Sequence, residues 1–297
     1  MWLLIAFIAP MFYGIANISD SLLANKDFKN PITLAFYASF SALFFLPLLL
    51  FFYHLEIPHI SFFPLLILLG IINVLFLFPY YKGLQSDDTS IAVSFFGLGR
   101  IFIPIWAFFL VGERLSFGEY VGIILIIIGS ILLSLKGSLK NIKFSKAILY
   151  ILLASFIISF EGVILKYLFD QGVSVGVGVA GETISSFLFM LLFLIHKNSR
   201  LNIINSFSIF KSKLSVFFVE EGATFIAFFA ATYAISIAPV SLVRGVGTLT
   251  PFFLLLYAKV LGKKSPHLFN EAIGKGITLK KIILFSITAL GVFLIAK

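Results

Sequence analysis

Ten stretches of about twenty apolar residues follow one another through this chain, and no soluble core absorbs that pattern. They run over 2–23, 31–53, 62–84, 89–111, 117–135, 146–169, 173–196, 216–237, 239–261 and 279–296. A helix that crosses a bilayer needs roughly 20 mostly apolar residues. Membrane strands would instead show segments of about ten residues that alternate polar and apolar. The runs 123–128 and 188–195 do not alternate, which excludes a β-barrel reading. Charged residues make up 12% of the 297, against about 25% in an ordinary soluble domain. Disorder and a solvated repeat protein are excluded on the same ground. There is no cysteine, so disulfides and thiolate metal sites are excluded too. The fold class is an all-α polytopic membrane protein, and the expected location is a cell membrane. The first stretch lacks a basic leader and a small-residue cleavage site, so it reads as a retained helix.

Most connections are very short. Spans 8 and 9 meet at Ala238 and Pro239, and spans 4 and 5 are joined by 112–116. The longest connections, 197–215 and 262–278, are basic and polar, and no soluble domain fits in either. The formal charge of +9 is topological in this reading. Seventeen of the 22 basic residues fall in or beside odd-numbered connections, and only Arg114, Lys166 and Lys297 fall on the other side. The positive-inside rule then puts the odd connections in the cytoplasm and both termini outside. The basic charge therefore reports topology and not a nucleic-acid partner.

Two segments echo each other. Residues 94–104 read SFFGLGRIFIP and residues 241–251 read SLVRGVGTLTP, with their prolines 147 positions apart. Gly14 and Gly162 stand at nearly the same offset. Five spans per half is an odd number, so the halves face opposite ways, as an inverted repeat. The expected halves are 1–143 and 144–297, and the expected hinge residues are Pro104, Pro251, Gly99, Gly245 and Gly247. Interrupted spans at matching places in two halves point to a transporter's substrate site. The same small residues also serve close helix packing.

The series Tyr80-Tyr81-Lys82-Gly83-Leu84-Gln85, Thr89-Ser90-Ile91-Ala92, Pro104, Gly112-Glu113-Arg114-Leu115, Gly122 and Gly129 resembles the EamA repeat of the drug/metabolite transporter superfamily. The second half resembles it less closely, through Tyr233-Ala234-Ile235, Ala238-Pro239, Pro251 and Gly291. After span 9 it departs from the pattern, with Leu261-Gly262-Lys263-Lys264 where Gly-Glu belongs. The resemblance implies ten transmembrane helices in two inverted five-helix repeats, a central cavity, and carriage of small organic solutes. It also implies termini in the cytoplasm, opposite to the charge count.

Charges at membrane depth are costly, at roughly 2.5–3.5 kcal/mol for Arg, Lys or Asp, and each calls for a partner or a function. Arg100 and Glu182 fall near the middle of their spans, and Glu161 and Arg244 in one half of the membrane. Glu220, Glu221 and Asp20 fall in the other half, with Asn17 a turn from Asp20. The expected substrate-binding set is Arg100, Glu182, Glu161, Arg244, Asn17, Tyr13, Asn73 and Tyr80. Arg100 is expected to face Glu182, and Arg244 to face Glu161; structural ion pairs are the alternative role. Glu182, Glu220, Glu221 and Asp20 are the proton-coupling candidates. Glu113 and Arg114 read as an interhelix turn at the headgroups.

His54, His59, His196 and His267 lack metal-ligand spacing, so neither a metal site nor a cofactor is expected. No G-x-x-x-x-G-K-[ST] loop is present, which excludes an ATP-driven pump for this chain alone. No constellation of nucleophile and base is found, so an enzyme is not expected. The reading is a secondary transporter for an amino-acid-like, other zwitterionic or anionic solute, or a drug, working by proton coupling or exchange. Its partners are a small-molecule substrate and lipid, as monomer or homodimer. A non-transporting membrane subunit or a lipid-linked-sugar translocation component is the alternative.

Overall fold

The computed structural model describes residues 1–53, 56–86, 96, 99–134, 146–261 and 278–295. Among these, every regular element is helical and none is a strand. The helices are α1 (Trp2–Leu22), α2 (Pro31–Ala42), α3 (Phe63–Ser86), α4 (Phe102–Val111), α5 (Phe117–Ser134) and α6 (Lys146–Asp170). They continue as α7 (Val175–Leu191), α8 (Lys197–Asn205), α9 (Phe207–Ser212), α10 (Leu214–Ile237), α11 (Val240–Gly247), α12 (Thr250–Leu261) and α13 (Thr278–Ile295). Six helical segments are long and apolar enough to cross a membrane: Trp2–Asp27, Pro31–Phe51, Ile60–Ser86, Ile148–Asp170, Val175–Leu194 and Leu214–Ile237. Shorter apolar helical segments run over Phe102–Val111, Phe117–Gly129, Val240–Leu254 and Ser286–Ile295. Much of the expected span 4, the expected boundary at 143/144, and most of the 262–278 connection lie outside the described residues.

Local sequence explains the ends. Asn30 accepts from Ile32 N at 2.9 Å, with Pro31 as the first helical residue, so α2 starts there. At the start of α5, Ser116 and Glu119 form a reciprocal box: Ser116 N donates to Glu119 Oε2 at 2.6 Å, and Glu119 N to Ser116 Oγ at 3.3 Å. Gly112 closes α4 at φ +67°, a conformation that a Cβ disfavours. Glu113 N then donates back to Ala107 O at 3.1 Å.

The expected span 9 is broken into α11 and α12. Pro251 has no N–H, so the carbonyl four residues back, Gly247 O, loses its helical donor. The Thr250 hydroxyl donates to it instead at 2.8 Å, and the Thr248 hydroxyl donates to Gly245 O at 2.6 Å. Pro104 does the same to Arg100 O, which accepts from Ile103 N at 3.1 Å.

The connection 197–215, expected as a polar loop, is largely helical as α8 and α9. It docks on the bundle: the Tyr37 hydroxyl donates to Ile203 O at 2.6 Å, and Lys213 Nζ sits 3.0 Å from Asp27 Oδ1. The helices α1 and α10 lie along each other, and α3 lies along both α6 and α7. The helix α4 packs on α6, and α5 packs on α13. That last crossing is tight because Gly122 and Gly291 face one another: a Cβ on Gly122 would stand 2.8 Å from Gly291 O. Large apolar side chains such as Phe51, Phe109 and Phe293 point outward. On a bundle of apolar helices, that outward surface is the lipid-facing one.

Candidate functional site

The helices α1 to α4, α6, α7 and α10 to α12, with Arg100 from the segment before α4, wall a cavity of about 230 Å³. It collects side chains that lie far apart in sequence. Tyr13, Asn17, Asp20, Asn73, Tyr80, Arg100, Glu161, Glu182, Glu220, Glu221 and Arg244 all line it. So do Gly247 and Pro251, whereas Gly99, Gly245 and Pro104 stand away from the wall.

One end is built around two arginines. Arg244 Nη2 and Glu161 Oε2 stand 2.5 Å apart, with Glu161 almost wholly buried. This is the pairing expected for Arg244. Burying both charges is tolerable because they are paired and hydrogen-bonded. Arg100 corrects its own expectation. Its Nη1 donates to the main-chain carbonyl of Arg244 at 2.5 Å, and among the described residues no ion pair joins it to Glu182. The Arg244 carbonyl lies at the last turn of α11, where carbonyls outrun their helical donors, so a guanidinium is a fitting partner. Glu182 Oε2 is buried without a hydrogen-bond partner. Beside Glu182 on α7, the Ser186 hydroxyl donates to Glu182 O at 2.8 Å and accepts from Asn73 Nδ2 at 3.1 Å.

Glycines make room for both guanidinium groups. A Cβ on Gly162 would stand 2.8 Å from Arg244 Nε and 3.2 Å from its Nη2. A Cβ on Gly247 would run into the guanidinium of Arg100. Gly14, the sequence partner of Gly162, instead takes Tyr257 and Phe253 against its backbone.

The other end is acidic. Asp20 lies seven residues beyond Tyr13 on α1, about 10 Å along the axis. Tyr80 Oη is 2.9 Å from Asp20 Oδ2 and 2.7 Å from Asn17 Oδ1. Glu220 and Glu221, on the facing α10, are 4% and 6% exposed. Glu220 Oε1 accepts from the Thr224 hydroxyl at 3.1 Å, while Glu220 Oε2 and Asp20 Oδ1 have no partner. Among the described residues, no group of three or more His, Asp or Glu is arranged to hold a metal ion.

Several lining groups were not singled out in the sequence: Tyr81, Ser155, Ser159, Thr183 and Thr224. Their signal was available as polar residues at helical spacing inside apolar spans, such as Ser155 and Ser159 four apart on α6. The turn expected at the headgroups for Glu113 is corrected by the structure. Its Oε2 accepts from Val240 N at 2.7 Å and its Oε1 from Ser241 N at 3.2 Å, so it caps the start of α11.

No curated protein matches the chain by sequence. A solved crystal structure of a protein, 18% identical, superposes with a TM-score of 0.65 over 99% of this chain and 96% of that one; this likeness is one of fold. Residues 1–135 match the model of the EamA-like transporter family. The chain is therefore an integral, multi-pass membrane protein whose first 135 residues, carrying Asp20, Tyr80, Arg100 and Glu113, match the EamA-like transporter family of the drug/metabolite transporter superfamily.

Proposed function

We propose that this protein is a secondary transporter of a small organic solute, built as ten transmembrane helices in two inverted five-helix repeats, 1–143 and 144–297. The four shorter apolar segments and their neighbours supply the remaining spans in this reading. Helix pairing supports it. If α1, α3 and α5 correspond to α6, α10 and α13, then the pair α1–α10 exchanges with the pair α6–α3, and α5–α13 maps onto itself. A two-fold axis in the membrane plane has that consequence.

The observation that carries the reading is the cavity itself. Residues of both proposed halves wall it, and Arg100 of one half is hydrogen-bonded to the main chain of the other. Rocking one half against the other then opens the cavity to each side in turn. Asp20, Glu182, Glu220 and Glu221 are the groups through which a proton gradient acts, with counter-exchange as the other driving force. Of the expected solutes, an amino-acid-like zwitterion fits a wall that carries both signs.

Flux of radiolabelled amino acids and amines into proteoliposomes, with and without a pH gradient, tests the proposal. Saturable uptake supports a carrier. No flux of any solute across the panel from folded, reconstituted protein would leave the non-transporting subunit in its place.

A further inference from the structure

The charges on the cavity wall do not balance. Arg244 is matched by Glu161, which leaves one basic side chain, Arg100, against Asp20, Glu182, Glu220 and Glu221. Three of these carboxyls stand together at the end remote from the arginines, because α1 lies along α10 and brings Asp20 opposite Glu220 and Glu221. A surplus of buried carboxylates is costly in an empty site, and each of them takes up either a proton or a positive partner.

Two further observations point to what that partner is. Asp20 Oδ1 and Glu220 Oε2 are buried on the cavity wall with no hydrogen-bond partner, and each carboxyl is more than nine-tenths buried. They are acceptors without donors, which an N–H-bearing cation satisfies. Aromatic rings surround the same end. Tyr80 packs against Phe76 at 5.4 Å and Phe96 at 5.6 Å between centroids, and all three line the cavity. Aromatic rings lining the same end as the carboxylates favour an organic ammonium over a hydrated metal ion.

We infer that the Asp20–Glu220–Glu221 end of the cavity is a subsite for the protonated amino group of a cationic or zwitterionic solute. This deepens the carrier reading and rests on it for the word solute, but the binding itself is separately measurable. Three donors of an ammonium reach Asp20 Oδ1, Glu220 Oε2 and one oxygen of Glu221. The Tyr80 hydroxyl stands at Asp20 Oδ2, 2.9 Å away, which leaves Oδ1 to the solute.

The test uses purified full-length protein in nanodiscs and three probes of one shape: 2-phenylethylamine, 2-phenylethanol and phenylacetate. The amine should raise the melting temperature in a saturable way, and the alcohol and the acid should not. D20N and E220Q should each weaken the amine response at least tenfold, while D170N, at a surface residue paired with Lys166, should keep it. Equal shifts with amine and alcohol, no shift with the amine, or a full response in D20N and E220Q would overturn the subsite. Should those variants not fold, the wild type answers alone: saturating amine should slow modification of Glu220 and Glu221 by dicyclohexylcarbodiimide at least fivefold, read by peptide mass. Unprotected labelling overturns the proposal. Amine binding with no flux in liposomes would remove the carrier reading and keep the subsite. Flux indifferent to the amino group would do the reverse.

Discussion

Arg100 donates Nη1 to the main-chain carbonyl of Arg244, 2.5 Å away, so one arginine holds the backbone that carries the other. The bond spans 144 positions of sequence and ties the segment before α4 to the last turn of α11. Lysine places one compact, strongly hydrated charge on a flexible stem and does not present further fixed donors to the cavity beyond such a bond. R100K should lower uptake in proteoliposomes at least tenfold, and R100A should abolish it. Full flux in R100A would remove Arg100 from the transport site.

The Glu161–Arg244 pair makes a stability prediction. Removing one member of a buried pair leaves an unmatched charge, at a cost of about 3–5 kcal/mol. E161Q and R244Q should each lose about that much in denaturant unfolding. The double variant should recover most of the loss. Additive losses would mean that the two side chains do not depend on each other.

Gly162 and Gly247 leave space where a methyl group would meet a guanidinium. G162A should push Arg244 off Glu161, and G247A should displace Arg100. Each should cut flux severalfold in the same uptake measurement. Wild-type flux in both would mean that the arginines move aside without consequence.

Glu113 caps α11 through two backbone N–H groups. E113A should destabilise the protein by about 0.5–2 kcal/mol, the usual range for a lost N-cap, and E113Q by less because its amide oxygen still accepts. Melting curves of the two variants check this. An unchanged curve for E113A would show that water replaces the cap.

Between α5 and α13 the crossing at Gly122 and Gly291 has no room for a side chain. G122V should cost about 1–3 kcal/mol through overpacking, measurable as a lower melting temperature. Stability equal to wild type would mean that the helices separate freely there.

The large features were legible in sequence because they rest on local rules. Apolar runs of the right length marked the six long helical segments, and charges inside the runs marked the cavity: Asp20, Arg100, Glu161 and Glu182 all line it. What was not legible depends on partners far along the chain. Nothing in the residues around Arg100 says that its acceptor is a carbonyl freed at the end of α11. Glu113 read as a turn because its donors, Val240 and Ser241, lie 127 and 128 positions away. The basic stretch 197–215 lacks the long apolar period of a span, and its helices are held by Tyr37 and Asp27 of the first half.

The pairing of α1 with α10 sets a timetable for biogenesis. Asp20 and its facing carboxyls are about 200 residues apart, and translation adds about 5–20 residues per second. Asp20 therefore waits roughly 10–40 s in the nascent chain before α10 exists. Tyr80 and Asn17 are its earliest companions, both made within the first third of synthesis. The Tyr80 hydroxyl, held between Asn17 Oδ1 and Asp20 Oδ2, gives the aspartate polar company through that interval, so loss of Tyr80 should be felt first at the translocon, as lower membrane insertion, before any solute is carried.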